Sequence, residues 1–172
     1  MPLVLDATTH ATPVGPLSLL QDADGVLHAV GFAPAPERLA PTLRAPVRLH
    51  VRPELGATST AVLAYFEGDL YAIDALPVAR PGAGFVQAAR DAMRGIAPGT
   101  TVSYAALAAR CGNARAVRAA GSACAGNPVA LVVPCHRVLR SDGTLGGFLW
   151  GLDTKRWLLA HEARHAALRA SA

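Results

Sequence analysis

A thiol, an imidazole and a guanidinium stand side by side in "VVPCHRVLR", Val132 to Arg140. A cysteine becomes a strong nucleophile only when its thiolate is populated, which needs a base, a nearby cation or a helix N-terminus. His136 is the nearest base to Cys135. In an extended segment, however, successive side chains point to opposite faces. The pair can cooperate only if the chain turns or a water bridges them. Pro134 makes a turn plausible, because a central strand does not readily continue through proline. The imidazole then needs a third group to fix its tautomer, preferably a carboxylate. Residues 83–172 hold only four acidic residues, and Glu162 in the last helical pattern is the candidate. The same residues also fit a small buried core cysteine beside a surface histidine.

Two other stretches could serve chemistry. "ARAVRAAGSACAG" offers small residues plus Arg115 and Arg118. A major-groove reader presents long polar side chains to base edges. A helix of Ala, Gly and Ser can instead approach a backbone or narrow groove closely, with one arginine acting as a wedge. It also fits an Ala-rich helix buried between neighbours. Gly146-Gly147, followed by Phe148 and Trp150, could line a pocket for a flat ring, or form an ordinary turn closed by hydrophobic anchors. No Walker-type phosphate loop and no dinucleotide fingerprint is present.

The three cysteines, Cys111, Cys124 and Cys135, form no CxxC pair and do not alternate with histidines at zinc spacing. An odd count at these spacings reads as reduced thiols, hence a cytoplasmic protein rather than a secreted disulfide framework. The N-terminus has no signal-peptide pattern, and no apolar run is long enough for a membrane span. With 52% hydrophobic residues and a mean hydropathy of +0.30, the 172-residue chain can bury a core. Charge divides unevenly: residues 1–82 sum to −3 and residues 83–172 to +7. A basic second half suits a polyanion partner.

The elements that must position these residues follow from the pattern. Residues 1–82 read as strands around a hairpin turn at Asp24-Gly25, a proline-rich connection with a strand at "VRLHV", and a short helix ending near Gly68. "ARPGAG", Ala79 to Gly84, is the expected linker to residues 83–172. There "FVQAARDAMRGI" is helical, and Ser103 should cap a helix running to about Cys111. Gly112-Asn113 separates it from a second helix ending near Ala125, the helix-turn-helix arrangement. "VALVVP" reads as a buried strand. "TKRWLLAHEARHAAL" reads as a closing helix with Trp157, Leu158 and Leu159 on its apolar side.

Together these residues resemble the O6-alkylguanine-DNA alkyltransferases, the methylated-DNA–protein-cysteine methyltransferase family. The motif is "PCHRV", Pro134 to Val138. The likeness runs from "TVSYAALA" through "GNARAVRAAGSACAGNP" and "VVPCHRVLRSDGTLGG" to "KRWLLAHE", with weaker echoes in "TPVGPLSL" and "YFEGDL". The resemblance implies an α/β (α+β) fold. Its first part is a small antiparallel-sheet domain (ribonuclease-H-like), and its second a helical, winged helix-turn-helix-like domain carrying the cysteine. It implies a DNA repair protein that flips an O6-alkylated guanine out of double-stranded DNA and takes the alkyl group irreversibly onto Cys135. O4-alkylthymine is a further possible substrate. His136 would act through a water as base, with Glu162 orienting it. Arg118 would fill the gap left by the base, and Tyr104 would help rotate the nucleotide. Asn127 would tie the helix-turn-helix to the cysteine loop, and the carbonyls of Cys135 and Val138 would accept from the guanine amine. Lys155 matches a lysine near that loop. Ala119 and Gly121 would lie along the minor groove. No cofactor, no membrane and a monomeric state complete the expectation.

This chain departs from the pattern in places. Position 148 is usually a tyrosine, whose hydroxyl can donate to the guanine O6. Phe148 keeps the ring and loses the donor, leaving the amide of Leu149. Arg90 stands where many members have tryptophan, and only a local packing change is expected. Residues 1–82 contain no cysteine, so no structural metal is expected. Competing readings are an alkyltransferase-like damage-recognition protein without transfer, a helix-turn-helix regulator with an incidental thiol, and a thiol hydrolase. The first lacks the acceptor cysteine, the second needs base-reading side chains, and the third needs an oxyanion site.

Overall fold

A computed structural model describes all 172 residues, which divide into two compact units. The first holds Met1–Ala79 with Pro128–Val132, and the second holds Arg80–Asn127 with Val133–Ala172.

The first unit is built on a four-stranded sheet in the order β3-β2-β1-β4. Strands β1 (Leu3–Thr12) and β2 (Gly15–Gln21) form a hairpin closed at Pro13-Val14, where Thr12 Oγ1 donates to the Gly15 carbonyl at 2.5 Å. Strand β3 (Leu27–Gly31) follows through the Asp22–Val26 turn. There Asp22 Oδ1 accepts from the amides of Asp24 and Val26, each at 3.0 Å. The inner strand β2 buries Leu17, Ser18, Leu19 and Leu20 in succession, so both its faces are covered. The three strands are antiparallel. A fourth, β4 (Val47–Val51), joins β1 in parallel at the edge after a 3-10 segment at Pro36–Thr42. The intervening prolines keep that connection from forming a long helix. Helix α1 (Ala57–Phe66) completes the element list of this unit.

"VALVVP" is buried but is not a strand. A single bridge joins Val129 to Val30, and Leu131 then enters the left-handed region at φ 70°. It is the one non-glycine residue to do so. That conformation costs an L-residue about 1–2 kcal/mol and stops any ladder. The Leu131 side chain, wholly buried, offsets the strain. A short apolar run in a sequence cannot distinguish a buried strand from a buried turn.

In the second unit, α2 (Gly84–Arg94) precedes a short strand β5 (Val102–Ser103) and helices α3 (Tyr104–Arg110) and α4 (Val117–Ala125). Ser103 caps α3 as expected, its side chain accepting from the Ala106 amide at 3.0 Å. Strand β6 (Val138–Leu139) pairs in parallel with β5, and α5 (Leu152–Ala170) closes the chain. The inward stripe of α5 is Lys155, Leu158, His161 and Glu162. Of the expected apolar trio only Leu158 is fully buried, because three consecutive residues span about 200° of a helix. Trp157 instead stacks on His161, with centroids 4.7 Å apart.

Candidate active site

Pro134 follows the turn at Ala130–Val133, and Cys135–Arg137 makes one turn of 3-10 helix leading into β6. This turn separates the neighbouring side chains. Cys135 lines a cavity of about 370 Å³, whereas His136 is wholly buried and faces α5. The volume lies near the lower end of the ~300–1,000 Å³ typical of small-molecule sites. Tyr104 at the start of α3, Gly121, Cys124 and Ala125 of α4, and Asn127 beyond it form one side of the cavity wall. Arg140 and the loop Gly146–Trp150 form the rest. The loop approaches Tyr104 so closely that a Cβ on Gly146 would lie 2.8 Å from the Tyr104 hydroxyl, and φ there is +69°. Only glycine meets both demands.

Behind the thiol lies a buried charge cluster. His136 Nε2 is 2.7 Å from Glu162 Oε1. Arg137 reaches the same carboxylate through Nε, at 3.2 Å from Oε1 and 2.9 Å from Oε2, and through Nη2, at 2.8 Å from Oε1. Its Nη1 donates to the Ile96 carbonyl at 2.5 Å. The Gly99 amide adds a donor to Oε2 at 3.3 Å. Gly99 has no room for a side chain, since a Cβ would meet that of Ala166 at 2.6 Å. Burial alone would raise the Glu162 pKa, but His136 and Arg137 hold it well below the ordinary carboxylate range. Glu162 is therefore ionised and accepts only. A neutral His136 must carry its proton on Nε2, which leaves the lone pair on Nδ1. That atom is buried and has no hydrogen-bond partner in the protein. Burial lowers the His136 pKa against the pull of Glu162, so the ring is a neutral base near pH 7.

Burial pushes the Cys135 thiol up, while a hydrogen bond from Asn127 and the charge of Lys155 pull the other way. The resting group is therefore a thiol held where a thiolate would find donors. Asn127 also donates from Nδ2 to the Val133 carbonyl at 2.8 Å, bracing the cysteine turn. Lys155, fully buried, ties three carbonyls together: Val138 at 2.8 Å, Leu145 at 2.5 Å and Gly147 at 3.2 Å. The Val138 carbonyl thus already has one donor, as does the Cys135 carbonyl, which takes the Val138 amide.

Tyr104, Gly121, Asn127, Cys135, Phe148 and Leu149 converge on the cavity, and His136, Glu162, Val138 and Lys155 support it from behind. Arg118 and Ala119 do not line it. Arg118 is exposed in the first turn of α4, and Ala119 is half-buried beside it. Arg90 does more than change local packing. Its Nη2 donates to the Gly126 carbonyl at 2.8 Å, at the end of α4 and one residue before Asn127. Sequence reasoning missed Arg137, Arg140 and Cys124. An arginine inside an apolar run is a signal of a buried ion pair, and Arg137 gives that signal. Cys124 donates to the Met93 sulfur at 3.6 Å, and burial, with Cys135 nearby, raises its pKa to about 12. It is an inert thiol. No cluster of three or more His, Cys, Asp or Glu could hold a metal ion.

Known proteins resemble this chain in sequence and fold. The family described as "6-O-methylguanine DNA methyltransferase, DNA binding domain" matches residues 84–164. A "Methylated-DNA--protein-cysteine methyltransferase" of Salmonella typhimurium is 38% identical over 157 residues, covering 88% of this chain and 92% of that one. Its namesake in Haemophilus influenzae is 37% identical over 158 residues, covering 90% and 84%. Among solved structures, Mycobacterium tuberculosis OGT in complex with DNA superposes with a TM-score of 0.80 at 29% identity, covering 93% of this chain and 94% of that one.

Proposed function

The chain belongs to the methylated-DNA–protein-cysteine methyltransferase family, and from that membership we propose that Cys135 is the alkyl acceptor of a direct-reversal DNA repair reaction. The observation that carries this reading is the division of labour at the 3-10 turn: Cys135 on the cavity, His136 behind it on Glu162. The protein binds double-stranded DNA and removes the alkyl group of O6-alkylguanine. The small-residue face of α4 enters the minor groove, and Arg118 fills the stack when the base swings out. Unstacking and unpairing cost a few kcal/mol, offset in part by that arginine.

Chemistry then needs three moves. His136 Nδ1 takes the thiol proton through one water and becomes an imidazolium paired with Glu162. The sulfur attacks the alkyl carbon in line, forming C–S as the C–O6 bond breaks. The electron pair of that bond stays on the guanine, which regains a proton from the site or from solvent. The product on Cys135 is a thioether that no residue of the cavity can cleave, so each molecule reacts once. Phe148 supplies a ring wall without a hydroxyl, leaving the Leu149 amide as donor to O6. No helix is long and apolar enough to cross a membrane, and a cytoplasmic location would keep the three unpaired thiols reduced.

Intact mass tests the proposal. Incubation with a duplex bearing one O6-methylguanine should add one methyl group per chain, and Cys135→Ala should add none. Tight binding of that duplex with no mass gain would sink the transfer reading and leave damage recognition alone.

A further inference from the structure

Arg140 is the only charged residue lining the cavity, and no carboxylate lines it. Its guanidinium has no hydrogen-bond or ion-pair partner, although the backbone beneath it is fixed. The Arg140 amide donates to the Thr144 carbonyl at 3.0 Å, and its carbonyl accepts from the Gly143 amide at 2.9 Å. Asp142, two residues on, feels the Arg140 charge but forms no ion pair with it and spends one oxygen on the amide and hydroxyl of Thr144, at 3.0 and 2.7 Å. Lys155, the other cation near the thiol, is buried and committed to three carbonyls. Arg140 is exposed, so its charge stands at the mouth of the cavity rather than at the thiol.

A nucleotide whose base enters this cavity brings its flanking phosphates to the mouth. From this match we infer that Arg140 binds a phosphate flanking the extrahelical nucleotide. It is a sequence-independent contact that holds the swung-out state, of the kind that positions rather than specifies. A planar guanidinium suits two phosphate oxygens at once. The inference rests on the base-flipping reading above.

The test is a cycle crossing protein and DNA changes. Single-turnover rate constants at limiting protein are measured for the parent, Arg140→Ala and Arg140→Lys. One duplex is fully charged, and the other carries neutral methylphosphonates on either side of the O6-methylguanine. In the parent, neutralising those phosphates should slow transfer about tenfold, the scale of one charge-assisted contact. Arg140→Ala should already be about tenfold slower on the charged duplex and lose less than about twofold more on the neutral one. Arg140→Lys should keep part of the parent's sensitivity. Equal sensitivity in the parent and Arg140→Ala, or an unaltered rate for Arg140→Ala on the charged duplex, overturns the inference. A parent that takes no methyl from the charged duplex refutes the transfer reading itself, before any variant is compared.

Discussion

Replacing Arg137 by methionine separates the buried ion pair from the rest of the site. Arg137 is 2% exposed and Glu162 wholly buried. The guanidinium supplies three of the close contacts on the carboxylate and also satisfies the Ile96 carbonyl. Removing one partner of a buried pair costs about 3–5 kcal/mol, because the other charge stays behind. Glu162 would keep His136 and the Gly99 amide as donors, which places Arg137→Met toward the lower end, at about 3 kcal/mol. At about 2–4 °C per kcal/mol for a chain of this size, the melting temperature should fall by at least ~6 °C. The double variant Arg137→Met with Glu162→Gln should recover part of that loss, since no unpaired carboxylate remains while His136 keeps an acceptor. Transfer kinetics provide a readout that packing alone would not move. The Arg137 charge lowers the pKa of His136 and of Glu162. Without it both protonate more readily, and the acid limb of the single-turnover rate should shift to higher pH. Urea unfolding of the two variants and a pH–rate profile decide the matter. A cost below about 1 kcal/mol, or a double variant whose losses simply add, would refute the reasoning.

Three further outcomes are expected. Glu162 titrates lower when folded than its ordinary 4.5, and His136 lower than 6.5. In both cases the unfolded chain binds more protons, so stability should be full above about pH 6.5 and fall as pH drops through 6.5 and 4.5. Urea midpoints between pH 4 and pH 8 measure this, and Glu162→Gln should flatten the lower part of the curve. Phe148→Tyr should raise the single-turnover rate on O6-methylguanine DNA about tenfold, the worth of one added hydrogen bond to O6 in a dry site. An unaltered rate would show that the missing hydroxyl does not limit transfer. Arg90→Leu should cost about 1 kcal/mol, one hydrogen bond to the Gly126 carbonyl. It should also slow transfer more than it weakens binding to an unmodified duplex, because Asn127 is the next residue. A matched loss in both would reduce Arg90 to a surface contact.

The local features of the second unit were legible in the sequence, because short-range chemistry specifies them. Ser103 caps its helix, Gly112-Asn113 separates α3 from α4, and Pro134 turns the chain at the thiol. The objection that adjacent Cys135 and His136 face apart also describes the structure, since one lines the cavity and the other faces Glu162. What could not be read depends on pairings between distant residues. Arg137 meets Glu162 across 25 positions and Ile96 across 41. The parallel edge strand β4 joins the antiparallel strands only after the proline-rich connection, and no local pattern announces parallel pairing. Lys155 looked like a loop neighbour, whereas its burial under three carbonyls required the loop to fold over it first. "VALVVP" misled because apolarity reports burial and not backbone conformation.

The central claim, that Cys135 takes one alkyl group and keeps it, is open to a single direct measurement. Cys135 and Cys124 both line the cavity, and Cys111 lies outside it. The protein is titrated with excess duplex carrying isotopically labelled O6-methylguanine, and its peptides are then sequenced by mass spectrometry. One label per chain is expected, all of it on Cys135, with lesion removal stopping at one equivalent. Label on Cys124, or removal continuing beyond one equivalent, would contradict it.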